Sequence, residues 1–145
     1  MEFHVERDVL LQSLTHIQGV VEKKNTLPIL SNVLIQATEE GLLVTATDMD
    51  MIISEKINAK VKVNGSTTTG AQALYDIVRK LPSTSQLNFA LKDETKLKLI
   101  SGMSDYELTC LSPNEFPILE DNIEEEPTVI GSKEFLKLLN KTKFA

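Results

Sequence analysis

Residues 7–21, RDVLLQSLTHIQGVV, place Leu10, Leu14, Ile17 and Val21 on one face of a helix. Asp8 stands where an N-capping carboxylate is expected. The run before it, EFHVE at residues 2–6, alternates as a strand does. Three strand-like runs follow the helix: ILSNVLIQAT at 29–38, GLLVTATD at 41–48 and MIISEKINAKVKV at 51–63. The turn TEEGL joins the first two as in a hairpin. Next, NGSTTTG at 64–70 leads into a second helix, AQALYDIVRKL at 71–81, which Pro82 ends. Three more strand-like runs come after it: SQLNFALK, KLKLISG and DYELTCLS. The order strand, helix and three strands therefore occurs twice, which predicts an α+β fold with two helices packed on antiparallel sheets.

The helices keep a common register. Leu10, Leu11 and Leu14 form an adjacent pair plus a residue three further on, and Ala73, Leu74 and Ile77 repeat this 63 residues later (10 to 73). Phe135, Leu136 and Leu139 repeat it again after 62 (73 to 135), behind a strand-like TVI. Recurrence at a nearly fixed interval within one order of elements predicts internal duplication. Residues 1–122 form one duplicated domain, with half-units at about 1–63 and 64–122. Residues 123–128 are an acidic linker, within a stretch holding three prolines and six acids, and 129–145 open a further unit that lacks its sheet strands. The expectation is an N-terminal piece of a longer, repetitive protein.

Composition narrows the function classes. The 145 residues carry 15 basic and 21 acidic side chains, a formal charge of −6. No apolar run reaches the ~20 residues of a membrane span, and MEFHVERDVLL does not read as a signal peptide, so a soluble cytoplasmic protein is expected. One cysteine, Cys110, excludes an internal disulfide and multi-cysteine metal clusters. Flanked by Leu108 and Leu111, it reads as a small buried hydrophobe rather than a nucleophile, because neither His4 nor His16 lies in a motif that would activate it. Asp48 and Asp50, two apart in TATDMDMII, share a face if the run is a strand, and could hold Mg²⁺. Turn capping is the commoner use of such aspartates. No phosphate loop, nucleophile elbow or zinc motif is present, so neither catalysis nor a cofactor is expected.

The placement of the basic residues carries more information than their number. With Leu10, Leu14 and Ile17 turned inward, Gln12, Ser13, His16 and the helix end face out, followed by Lys23, Lys24 and Asn25. On the second helix Ala73, Leu74, Ile77 and Leu81 are expected inside, leaving Gln72, Arg79 and Lys80 outside. Acids gather elsewhere, at Glu39, Glu40, Asp93, Glu94 and across residues 120–126. A positive helix face on a negative body would suit a polyanion, while the bland alternative is an ordinary solvated surface.

Several motifs in order resemble one family: MEFHVERDVLL, TLPILSNVLIQA, TATDMDM, DIVRKLP, LISG and NEFP, spread over the whole chain. They are similar to the bacterial DNA polymerase III beta subunit, the sliding clamp. That resemblance implies the DNA clamp fold, built from duplicated β-α-β-β-β units. It implies three such domains per protomer in a head-to-tail homodimeric ring, with helices lining the hole and sheets outside. It implies a non-catalytic processivity factor of DNA replication that encircles double-stranded DNA and tethers DNA polymerase III. The polymerase and the clamp loader would dock through domains beyond this chain. Lys24 falls on a DNA-contacting position, with Lys23 beside it and the run from Thr26 to Leu30 anchoring their loop. Gln72 falls on another such position, usually basic in relatives, and Arg79, Lys80 and His16 join the same face. Contacts would go to phosphates, because a sliding ring must not read sequence. The strand DYELTCLS would pair with the partner protomer, with Tyr106 and Leu108 as apolar anchors. Two other readings remain open: a magnesium-dependent enzyme built on Asp48 and Asp50, and a protein-interaction module using the DYELTCLS edge.

Overall fold

The computed structural model describes residues 1–21, 27–117 and 129–143. In chain order the elements are β1 (Glu2–Glu6), α1 (Arg7–Ile17), a 3-10 turn (Pro28–Ser31), β2 (Asn32–Thr38), β3 (Gly41–Thr47), β4 (Ile52–Ile57), β5 (Lys60–Val63) and β6 (Gly65–Gly70). They continue with α2 (Ala71–Lys80), β7 (Gln86–Asp93), β8 (Lys96–Ser101), β9 (Ser104–Leu111), a second 3-10 turn (Pro113–Glu115) and α3 (Ser132–Thr142).

Every strand pairing is antiparallel, in the order β4-β3-β2-β6-β9-β8-β7-β1-β5. Two strand runs cross between halves of this sheet. β4 pairs with β3 from Ile52 to Ile57, and the chain then continues as β5 beside β1. β9 pairs with β8 from Ser104 to Thr109, then meets β6 only at Cys110 and Leu111. The run 51–63 is thus two strands and not one. The break at Asn58 and Ala59 lets the chain leave β3 for β1. Here Gly41, at φ +123°, allows the backbone to pass close, since a Cβ on it would stand 2.6 Å from the Ile57 carbonyl oxygen.

NGSTTTG also differs from its reading as a lead-in, because residues 65–70 are β6. Thr67, Thr68 and Thr69 are buried there, and β-branched side chains fit a pleated interior surface. Two threonines are satisfied by cross-sheet bonds: Thr68 Oγ1 donates to the Leu111 carbonyl at 2.9 Å and Thr69 Oγ1 to the Thr109 carbonyl at 3.1 Å. In LPILSN, residues 27–32, only Asn32 belongs to a strand; residues 28–31 form the 3-10 turn, which buries Leu30, and Leu27 before it is exposed.

The core lies between the helix pair and the sheet. α1 buries Leu10, Ser13, Leu14 and Ile17, a full i, i+3, i+4, i+7 stripe. Ser13 was expected outside; it sits on the buried stripe, and its Oγ has no hydrogen-bond partner among the described residues. α2 buries Ala71, Leu74 and Val78, with Leu81 beyond its end. Ala73, expected inside, is exposed, and Ile77 is only partly covered. The buried positions 10, 14 and 17 correspond to 74, 78 and 81, an interval of 64, one more than the apolar trios suggested. Asp8 is not the N-cap either. The cap position is Glu6, without a side-chain bond, and Asp8 lies in the first turn.

α3 forms as expected, but Phe135, Leu136, Leu138 and Leu139 are all about half exposed. Val129 and Ile130, read as part of a strand, are not in one; no strand among the described residues pairs with them.

Candidate nucleic-acid interface

The two helices lie side by side and antiparallel. At one end, Arg7 Nε donates to the Val78 carbonyl at 2.9 Å and Nη2 to the Arg79 carbonyl at 2.7 Å. At the other, Gln18 Nε2 reaches Gln72 Oε1 at 3.4 Å. Arg7 thus begins α1 and also satisfies two terminal carbonyls of α2, where a cation is further favoured by the helix dipole. Its guanidinium also meets Asp8 Oδ1 at 2.7 Å and holds that carboxyl below the usual carboxylate range, while Asp8 Oδ2 accepts from the Thr84 amide at 3.3 Å. Sequence reasoning did not find Arg7, because its partners lie 71 and 72 residues away. Arg7→Met keeps the aliphatic stem and removes these bonds. It is expected to destabilise the chain by about 1.5–3 kcal/mol, the range for hydrogen bonds to a charged group, measurable by urea denaturation.

The remaining candidates on this face are polar and exposed. His16 Nδ1 lies 2.5 Å from Glu55 Oε1 on β4. On α2, Gln72 Nε2 donates to Asp76 Oδ2 at 2.9 Å, and Arg79 Nη2 lies 3.3 Å from Asp76 Oδ1 with its guanidinium 5.5 Å from the centre of the Tyr75 ring. Lys80 is exposed with no ion pair among the described residues. The structure therefore brings His16, Gln72, Arg79 and Lys80 onto the surface of one helix pair. It also adds Gln18, Asp76 and Glu55, which the sequence reading did not select. Asp76 was within reach, since it stands four residues after Gln72 and three before Arg79. Lys23 and Lys24 lie outside the described residues, which stop at Val21 and resume at Leu27.

The acids expected in turns are there: Glu39 and Glu40 between β2 and β3, Asp93 and Glu94 at the β7–β8 turn. Exposed strand positions carry balanced pairs, with Glu107 between Lys92 (3.2 Å) and Lys96 (3.0 Å), and Lys98 2.7 Å from Asp105. Hydrogen bonding from Lys96, then from Lys92, lowers the Glu107 carboxyl below its ordinary range.

Asp48 and Asp50 do not line a strand face. They belong to the turn between β3 and β4, where Asp48 Oδ1 accepts the amides of Asp50 (3.0 Å) and Met51 (2.7 Å), and Met49 has φ +82°. The carboxylate of Asp48 caps its own turn, as such residues commonly do. Cys110 is buried in the core cluster and burial pushes its thiol above the ordinary range, the setting of an inert cysteine. Leu108 is 6% exposed and belongs to this chain's own core, while Tyr106 packs partly against it. Among the described residues, β9 pairs from 104 to 108 only with β8.

An antiparallel helix pair laid across a two-part antiparallel sheet, polar on its outer surface, is the architecture of a sliding-clamp domain. Comparison with known proteins gives the same class. Residues 1–120 match the family described as "DNA polymerase III beta subunit, N-terminal domain". The chain is 37% identical over its whole length to the beta sliding clamp of Caulobacter vibrioides, covering 39% of that protein. Among solved structures it superposes on "Caulobacter crescentus pol III beta" with a TM-score of 0.94 (37% identity, all of this chain, 39% of that one). It superposes on the Pseudomonas aeruginosa DNA polymerase III subunit beta at 0.93 (32% identity, all of this chain, 39% of that one). The chain belongs to the DNA polymerase III beta subunit family, whose N-terminal domain it carries. It spans about two fifths of the length of the relatives it matches.

Proposed function

We propose that this chain is the first arc of a homodimeric ring that encircles double-stranded DNA and serves as a non-catalytic processivity factor in the cytoplasm. One observation carries the reading: the helix pair presents its polar side away from the sheet, on a fold matched along the whole chain by beta sliding clamps. In this reading residues 1–122 are a duplicated domain with half-units 1–63 and 64–122. The two crossing runs, β4 into β5 and β9 from β8 to β6, support it. Residues 123–128 link it to a second domain that opens in 129–145.

The duplex side is formed by Lys24 and Lys23 with Gln72, Arg79, Lys80 and His16, contacting phosphates without reading bases. Tyr106, at the open edge of β9, is the partner-facing anchor. Leu108, two residues further along the strand, is buried in this chain's own core. DNA polymerase III and the clamp loader bind the parts of the full-length protein beyond this chain.

Charge reversal tests the duplex side. Lys23→Glu with Lys24→Glu, in the full-length protein, is expected to weaken duplex binding about tenfold or more at low salt and to flatten the salt dependence, each lost phosphate contact removing roughly 0.9 from the slope. Binding with an unchanged slope would show that these lysines do not meet the duplex. No duplex binding by the unmodified full-length protein would instead favour the module that uses the β9 edge without nucleic acid.

A further inference from the structure

We infer that Asp76 is a positioning residue that restrains the pull of this surface on DNA, an inference resting on the duplex-facing role proposed for α2. Its carboxylate is occupied on both oxygens by the two α2 side chains assigned to the duplex: Gln72 on Oδ2 at 2.9 Å and Arg79 on Oδ1 at 3.3 Å. Gln72 is reached in turn by Gln18 of α1 at 3.4 Å, and Arg79 leans over Tyr75. One polar network therefore runs from α1 along the exposed side of α2, with a single anion at its centre.

Two consequences follow for a phosphate near this surface. It must compete with Asp76 for the Arg79 guanidinium, and it meets the same carboxylate beside the Gln72 amide. His16 is matched in the same way by Glu55. Among the described basic residues of the helix pair, Lys80 alone has neither a carboxylate partner nor a hydrogen bond. A ring that slides needs contacts that exchange rapidly between successive phosphates. A charge-balanced surface provides this, where a row of free arginines would grip.

The test is duplex binding by the chain, followed by fluorescence anisotropy of a short labelled duplex over a series of salt concentrations. Asp76→Asn is expected to bind at least about threefold tighter at low salt, with a salt slope steeper by roughly 0.9 as Arg79 gains a phosphate. Asp76→Glu, which retains the anion, should stay near wild type. Glu94→Gln removes the same charge at the β7–β8 turn, outside the network, and should leave the slope unchanged. Lys80→Glu reports on the surface itself. If Lys80→Glu weakens binding while Asp76→Asn matches wild type, the restraint is refuted and the duplex-facing role stands. A gain in Glu94→Gln equal to that in Asp76→Asn also refutes it. If Lys80→Glu changes nothing, or the wild-type chain does not bind duplex at all, both inferences fall together.

Discussion

Phe89→Ala lowers the folding stability of the chain by about 3–5 kcal/mol, the usual cost of emptying a large aromatic site. Phe89 is 1% exposed and lies on β7, in register with Phe3 of β1 on one side and Leu99 of β8 on the other. Its ring stacks on Phe3 at 4.8 Å between centroids, with the planes 17° apart. Both neighbouring strands are bonded to β7, so the site cannot close by moving one of them. The cavity therefore persists, and the lost stacking adds roughly 0.5–1.5 kcal/mol to the lost burial. Urea denaturation gives the number, with an unchanged m-value indicating that the same surface still unfolds. Phe135→Ala is the internal comparison: that ring is 49% exposed on α3, and its loss should stay within about 0.5 kcal/mol. Equal effects at the two positions would mean that β7 is not at the centre of the core.

The elements that could be read from the sequence were those whose local pattern and tertiary role coincide. β1 is bounded as its alternation predicts, and α2 ends one residue before Leu81, held by Pro82. β6 failed because its pattern is ambiguous: Asn64, Gly65 and Ser66 are turn residues, and three consecutive threonines show no alternation. What makes 65–70 a strand is its place between β2 and β9, which no local window contains. The break at Asn58 was hidden for the same reason, since β4 and β5 differ in partner and not in composition. In α2 the apolar trio misled by one residue. Ala73 is small enough to sit outside at no cost, and Val78 takes the buried place that its spacing from Leu74 dictates.

The site was legible in its exposed members and silent about its contacts. Gln72, Arg79, Lys80 and His16 are all on the outer surface, because each is polar and off the buried stripe. Their partners could not be read so easily. Glu55 reaches His16 from a strand 39 positions later, and Arg7 crosses to the far end of another helix. A count of basic residues therefore overstates the positive field of this face, as both arginines of the helix pair already stand against carboxylates. The metal reading lost its geometric basis when Asp48 proved to cap the turn that its own sequence makes.

If the full-length protein forms a closed ring, its lifetime on DNA depends on whether the DNA has ends. Assembled on a nicked circle, such a ring can leave only by parting an interface between protomers. On the same molecule cut once, it can also slide off. Phosphate attraction is identical in the two cases and cancels from the comparison, which salt alone could not achieve. The expected result is retention on the circle at least about tenfold longer than on the linear form, within the millisecond-to-day span that interface dissociation covers. Retention on the circle keeps a bound polymerase at a high effective concentration near the primer end. Gel filtration of labelled rings before and after restriction cutting gives the ratio directly. A further arm weakens the interface: Tyr106→Ala at the open edge of β9 should shorten retention on the circle and leave the linear lifetime nearly unchanged, because there the ring escapes without opening. Equal retention on circular and linear DNA would leave electrostatic adhesion as the mode of binding and remove the ring from the account.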